Sequence, residues 1–125
     1  MTRNDVLKII LETYSVSPEY PWEGETHAVL RHPGSNKWFA IIMDVKKKHL
    51  HLSDADFDGE KFEDIMNVKA NPVLIEELLH EDTFLPAWHM NKTHWCTVDV
   101  NKLATDVLDA IIKTSFDVTA TVKKK

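Results

Sequence analysis

A chain of 125 residues with a single cysteine, Cys96, has no internal disulfide available to it, so it must be held together by its core. Cys96 falls in an apolar-alternating stretch, "HWCTVDV", where a buried and inert thiol is expected. The three glycines, Gly24, Gly34 and Gly59, are scattered, and there is neither a Gly-rich phosphate loop nor a Gly-x-Ser-x-Gly nucleophile elbow. No stretch approaches the roughly 20 apolar residues that span a bilayer. The opening "MTRNDVLKIILETYS" carries Asp5 and Glu12 inside a helical pattern, which disfavours a signal peptide or an anchor and makes the cytoplasm the expected location. Positive charge is also short: 15 Lys and Arg against 20 Asp and Glu give a formal charge of -5, so the field of the whole molecule repels a phosphate backbone. Any nucleic-acid role would need a local basic surface. Seven histidines make the sign of that surface sensitive to pH, because charging all of them would reverse the net charge.

The apolar and charged fractions, 43% and 28%, are those of an ordinary globular protein, and the length suits one domain with one core. Val6, Leu7, Ile10, Leu11 and Tyr14 recur at helical spacing and predict a helix over residues 4–14. "SVSPEYPWEGE" breaks the period and reads as a loop, with Trp22 capping the core edge. Residues 28–31 and 38–45 flank a Pro-Gly-Ser-Asn turn and predict a hairpin, with Trp38 in the core or at its edge. The polar segment 46–64 reads as a long surface excursion, and "IMNVKA" at residues 65–70 as a third strand. Asn71 and Pro72 are the N-cap and first position of a second helix whose buried face pairs Leu74 with Leu78 and Ile75 with Leu79. A second hairpin is expected with arms over 85–90 and 94–100. The stripe Leu103, Val107, Leu108, Ile111, Ile112 and Ser115 predicts a final helix. The expected fold is an α+β two-layer sandwich, an antiparallel sheet with helices packed on one face, in the order α-β-β-β-α-β-β-α. Residues 1–118 form the domain and 119–125 a lysine-rich tail.

Several motifs invite a chemical reading. "DADFDG", Asp54 to Gly59, reproduces the first half of a calcium loop, but the twelfth position, which needs a bidentate Glu, is Ile65; a solvated acidic loop is expected. His89 and His94 flank one hairpin tip and could be two metal ligands, with His49, His51 or Cys96 completing a set, yet nothing in the spacing fixes those neighbours. No metal, cofactor or catalytic residue is therefore expected, and the chain reads as a binding module. Trp88 and Trp95 stand on opposite arms of the second hairpin and would clasp it as cross-strand neighbours. The alternative is that one of these rings is exposed for stacking on a base.

"YPWEGETHAVLRHPGSNKWFAIIMDV", "MNVKANP" and above all "PAWHMNKTHW", with a C-terminal helix ending in "TSFDV", resemble the MmcQ/YjbR family over nearly the whole chain. The resemblance implies a compact α+β domain, likened to CyaY and to type III secretion chaperones. It also implies DNA binding in a double-wing mode, in which two hairpins reach the duplex. The matching positions are Arg31, His32, Ser35, Asn36 and Lys37 on the first wing and His89, Asn91, Lys92 and His94 on the second, and Trp88 and Trp95 of the second hairpin are counted with them as contact residues. The expected partners are double-stranded DNA or, on a competing reading, another protein; no membrane is implied, and the chain would act as a monomer or weak dimer.

Overall fold

The computed structural model describes residues 1–50 and 61–120. Helix α1 (Arg3–Tyr14) is followed by strands β1 (Ala28–Arg31), β2 (Trp38–Lys46) and β3 (Phe62–Lys69), helix α2 (Pro72–Leu78), strands β4 (Phe84–Pro86) and β5 (Trp95–Asp99), and helix α3 (Thr105–Thr119). Single 3-10 turns at Lys47–His49 and Val100–Lys102 follow β2 and β5. This is the order read from the sequence.

Local chemistry sets the helix ends. Thr2 and Asp5 exchange hydrogen bonds in a capping box at the start of α1, and these bonds hold the Asp5 carboxyl below its ordinary range. Ser15, in the left-handed region at φ 57°, stops the helix. At α2 the Asn71 carboxamide oxygen accepts from the Leu74 N–H at 2.9 Å, and Pro72 occupies the first turn.

The five strands form one antiparallel sheet in the order β1-β2-β3-β5-β4. All three helices lie on one face, where Val6, Ile10, Ile75, Leu108, Ile111 and Ile112 pack against Leu30, Phe39, Ile42, Met66, Val68 and Val98. A register shift between Leu30 and Arg31 leaves Phe39 as the extra residue of β2, and its ring also turns to the helices. The buried Ser115 hydroxyl of α3 donates to the Phe39 carbonyl at 2.5 Å and accepts from the Lys69 N–H at 2.9 Å, tying the helix to two strands. The other face carries a second apolar cluster, Val29, Ile41, Met43, Val45, Leu50 and Ile65, to which no helix contributes.

The sequence reading needs four corrections. β2 extends to Lys46 and β3 begins at Phe62, so both ends of the expected excursion are paired, Lys46 opposite Phe62. Leu79 is 39% exposed, and in α2 only Ile75 is buried. The second hairpin has short arms, because Pro86 has no N–H to offer the ladder and β4 ends there. The expected clasp of Trp88 and Trp95 is absent: Trp95 lies across from Lys69 of β3, whereas Trp88 sits past the end of β4. Thr119 is the last residue of α3 and is buried. The calcium-like run 54–59, His51 and the lysines of the tail lie outside the described residues.

Candidate functional site

The strand register decides which loops share an end of the sheet. β1 runs toward the 32–37 turn and β2 away from it; β3 ends at Lys69 beside the start of β2; β4 ends at Pro86 and β5 starts at Trp95, opposite Lys69. Both hairpin tips therefore emerge at one end. One tip joins the first and second strands of the sheet order and the other the fourth and fifth, so their centres lie three strand spacings apart, roughly 14 Å.

At the first tip, Asn36 takes a left-handed φ of 63° and closes the turn. Arg31 is an internal strut: its guanidinium pairs with Glu19 at 2.9 Å, donates to the Asn36 carbonyl at 3.3 Å and lies 5.6 Å over the Trp38 ring. His32 is not available as a contact residue. It is 9% exposed, its Nδ1 accepts from the Gly34 N–H at 2.9 Å, and its ring lies 4.0 Å from that of Phe116. Ser35 is also bonded inward, donating to the Thr119 carbonyl of α3 at 2.5 Å. Asn36 and Lys37 remain exposed.

The second tip is built differently. The Trp88 N–H donates to Thr97 Oγ1 at 2.8 Å, the Thr97 hydroxyl donates to Asn67 Oδ1 at 2.5 Å, and Asn67 Nδ2 donates to the Trp88 carbonyl at 3.0 Å. This closed ring satisfies both backbone groups of Trp88 with two side chains that are fully buried on the helix-free face. His89 then adopts φ 57°, and its ring stacks on Trp88 at 3.7 Å with 6° between the planes. Asn91 turns the chain, its side-chain oxygen accepting from the Thr93 N–H at 2.8 Å and its carbonyl from the Trp95 N–H at 2.9 Å. His89, Asn91, Lys92 and His94 are exposed, and Trp95 is half-buried.

The stacked pair Trp88–His89 is the common wall of two clefts on the helix-free face. One, of about 310 Å³, also includes His49, Leu50, Leu85 and Lys92. The other, of about 250 Å³, lies between that pair and Trp22, His27 and Trp38, over a floor of Ile41, Met43 and Asn67. Trp22 meets Trp38 edge-on, 5.9 Å between centroids and 83° between planes. Its loop is held by reciprocal Glu19–Val29 backbone bonds at 2.9 and 2.8 Å, by Gly24 at φ +77°, and by bonds from the Arg3 guanidinium to the Thr26 carbonyl and from the Thr26 hydroxyl to Asp44. Sequence reasoning placed Trp22 and Trp38 at the core edge. It missed that the first loop and the second hairpin close on one another, and it missed Asn67 and Thr97 entirely. The alternation of polar Asn67 and Thr97 with buried apolar residues in β3 and β5 is the signal that was there to be used.

Charge is segregated along the sheet. Residues 28–43, 65–75 and 83–98, which supply the strands running to the tip end and the loops there, contain no Asp or Glu, and they carry Arg31, Lys37, Lys69 and Lys92. At the opposite end Glu63 and Asp99 are buried on the helix-free face. Burial first, then a hydrogen bond and repulsion from Glu63, raise the Asp99 carboxyl to about 7. Asn101 Nδ2 donates to Glu63 Oε1 at 2.6 Å and the Asn101 N–H donates to Asp99 Oδ1 at 3.2 Å, while the buried Asp99 Oδ2 has no partner among the described residues. Cys96 is turned to the helix face and buried, which raises its thiol to about 11 and removes it from any ligand set with the exposed histidines. Among the described residues no three His, Cys, Asp or Glu side chains gather where a metal ion could be held, and no helix is long and apolar enough to cross a membrane.

Comparison with known proteins accords with this architecture. The uncharacterised protein YyaQ of Bacillus subtilis is 38% identical over 99 residues, covering 78% of this chain and 80% of YyaQ. A protein from Pseudomonas syringae, 32% identical, has a crystal structure that superposes with a TM-score of 0.87 over 95% of this chain and 99% of its own. Its solution structure gives 0.82 over 95% and 93%. Deinococcus radiodurans DR2400, at 20% identity, shares the fold with a TM-score of 0.65 over 94% of this chain and 77% of its own. Residues 11–118 match the YjbR family, and the chain belongs to it.

Proposed function

We propose that the protein is a non-catalytic binding domain that holds DNA weakly, through the phosphate backbone, at the end of the sheet where both hairpin tips emerge. The observation that carries this reading is the charge segregation: the strand and hairpin segments 28–43, 65–75 and 83–98 hold no carboxylate in a chain whose formal charge is -5, although Glu19 pairs with Arg31 there and α3, which carries Asp117, ends against Ser35. An overall negative body repels nucleic acid at long range, so only a local cationic surface of this kind can admit it. Lys37, Lys69 and Lys92 are the cations nearest the tips, with Asn36 and Asn91 as neutral donors beside them. Arg31 contributes less, because Glu19 compensates its charge.

Three phosphate contacts give a slope of about -3 in a plot of log affinity against log salt for duplex DNA, shallow beside proteins that make six to ten contacts. Titration of a dye-labelled duplex, followed by fluorescence anisotropy across a salt series, measures it. A double Lys37→Glu, Lys92→Glu variant should bind at least tenfold more weakly with a flatter slope. Absence of binding at about 50 mM salt with protein near 100 μM rules the reading out.

A further inference from the structure

The smaller cleft has a lining that phosphate binding does not require. Three of the four tryptophans of the chain, Trp22, Trp38 and Trp88, face it together with His89, over a floor of Ile41 and Met43. From this geometry we propose that the cleft receives one unpaired nucleobase, so that the DNA preferred at the tip end is single-stranded. The proposal rests on the DNA reading above and specifies its substrate.

Four observations point to a base. The walls are flat rings and the floor is apolar apart from Asn67, whose amide is bonded to the Trp88 carbonyl and the Thr97 hydroxyl; these are surroundings in which a heteroaromatic ring gains by stacking, whatever its sequence identity. About 250 Å³ is less than the roughly 300–1,000 Å³ of sites that enclose drug-sized ligands, and it suits a single ring system. The cleft lies between the two tips, with Lys37 adjacent in sequence to Trp38 and Lys92 three residues after His89, so a strand whose base enters it has cations on both sides for its phosphates. An organic cation, the other frequent guest of indole walls, is disfavoured because the Arg31 guanidinium already lies 5.6 Å over Trp38.

The walls are set before a ligand arrives. Both backbone groups of Trp88 are fixed by Asn67 and Thr97, and Trp22 is fixed by its contact with Trp38 and by the bonds at both ends of its loop. A site whose walls need no ordering on binding loses little conformational entropy to its ligand. His89 holds a left-handed φ of 57°, a conformation unusual for a residue with a Cβ, and that conformation accompanies the flat seating of its ring on Trp88.

The test uses the full chain with a dye-labelled 12-nucleotide oligo(dT) and a duplex of the same length at low salt, reading anisotropy and intrinsic tryptophan fluorescence together. Stacking one base predicts an affinity for the single strand roughly tenfold above that for the duplex, with tryptophan quenching on the single strand only. Trp22→Leu, at a 41% exposed position, should remove most of that preference and of the quenching. Trp88→Leu, checked for folding by its melting curve, should do the same. Equal affinity for both DNAs without quenching, or a preference unchanged in both variants, overturns the base-binding cleft and leaves the DNA reading standing. Failure of both DNAs to bind overturns the DNA reading, and the cleft proposal with it.

Discussion

Replacing Thr97 by Val tests the hydrogen-bonded ring that seats Trp88. The two side chains are nearly isosteric, so the change deletes a hydroxyl that accepts at 2.8 Å and donates at 2.5 Å without opening a cavity. It leaves the Trp88 N–H and the Asn67 Oδ1 without partners, on a face where Asn67 is fully buried. An orphaned buried polar group costs about 1–3 kcal/mol. Partial recovery by rearrangement of the 87–90 loop brings the expected loss to about 2–4 kcal/mol, against a total stability of roughly 6–19 kcal/mol for a chain of this length. The corresponding fall in melting temperature is roughly 6–20 °C. Urea unfolding followed by tryptophan fluorescence, with thermal melting by circular dichroism, measures both. Thr97→Ser keeps the hydroxyl and should recover most of the difference from wild type. A loss below about 0.5 kcal/mol for Thr97→Val, or no recovery with Ser, refutes the ring as the device that fixes Trp88.

Other consequences are as direct. Asp99 titrates near 7 in the folded chain against 3.8 as its ordinary value, so the folded state holds its proton more tightly than the unfolded state does. This contribution is therefore complete below about pH 4 and is lost as pH rises through 7, with a ceiling of about 4 kcal/mol; Asp99→Asn should flatten stability between pH 5 and 8 and exceed wild type at pH 8, and a wild-type curve flat over that range would contradict the raised Asp99 carboxyl. At His89, Gly accepts the positive φ and Ala does not, so His89→Gly should be about 1 kcal/mol more stable than His89→Ala in the same urea assay, and the reverse order would mean that the left-handed turn is not populated. The Cys96 thiol, raised to about 11 by burial, should resist an aromatic disulfide reagent at pH 8 in the native chain and react within seconds in denaturant; rapid native labelling would place it on the surface.

The element order was legible because each helix and strand carries its own period, and because Asn71–Pro72 announces a helix in two residues. The second hairpin was misjudged for a local reason. Trp88 and Met90 continue the alternation of a strand, but past Pro86 the backbone groups of Trp88 are bonded to the side chains of Asn67 and Thr97, partners 21 and 9 residues away that no local pattern reveals. Residues 62–64 were read as loop because Glu63 and Asp64 are charged. Glu63 is nonetheless buried in β3, where its carboxyl accepts from Asn101 Nδ2 at 2.6 Å. Of the contact residues, exposure could be read at Lys37, Asn91 and Lys92, which sit in turns. The burial of His32 depends on Phe116, 84 residues away in α3, and lies beyond any local reading.

The helix-free face is where the proposed cleft and the fold meet on so short a chain. In a two-layer sandwich that face is usually polar and wet, but here β2, β3 and β5 present Ile41, Met43, Ile65, Asn67, Thr97 and Asp99 to it, all buried. Among the described residues the cover consists of loops and strand ends: the segment around Trp22, the 3-10 turn before Leu50, and residues 87–90. Loops cover a sheet less completely than helices do, and the gaps between them are the two clefts. The polar pairs within this stripe, Asn67 with Thr97 and Glu63 with Asp99, lie on the same two strands and serve to pin the cover at a few points. None of Trp22, His89 and Met90 belongs to the helix-side core, so on the proposed reading changing them alters binding while that core holds the fold. If that division holds, substitutions at those positions should shift nucleic-acid preference by tenfold or more while moving the melting temperature by only a few degrees. A proportional loss of both would show that the loops belong to the folding core.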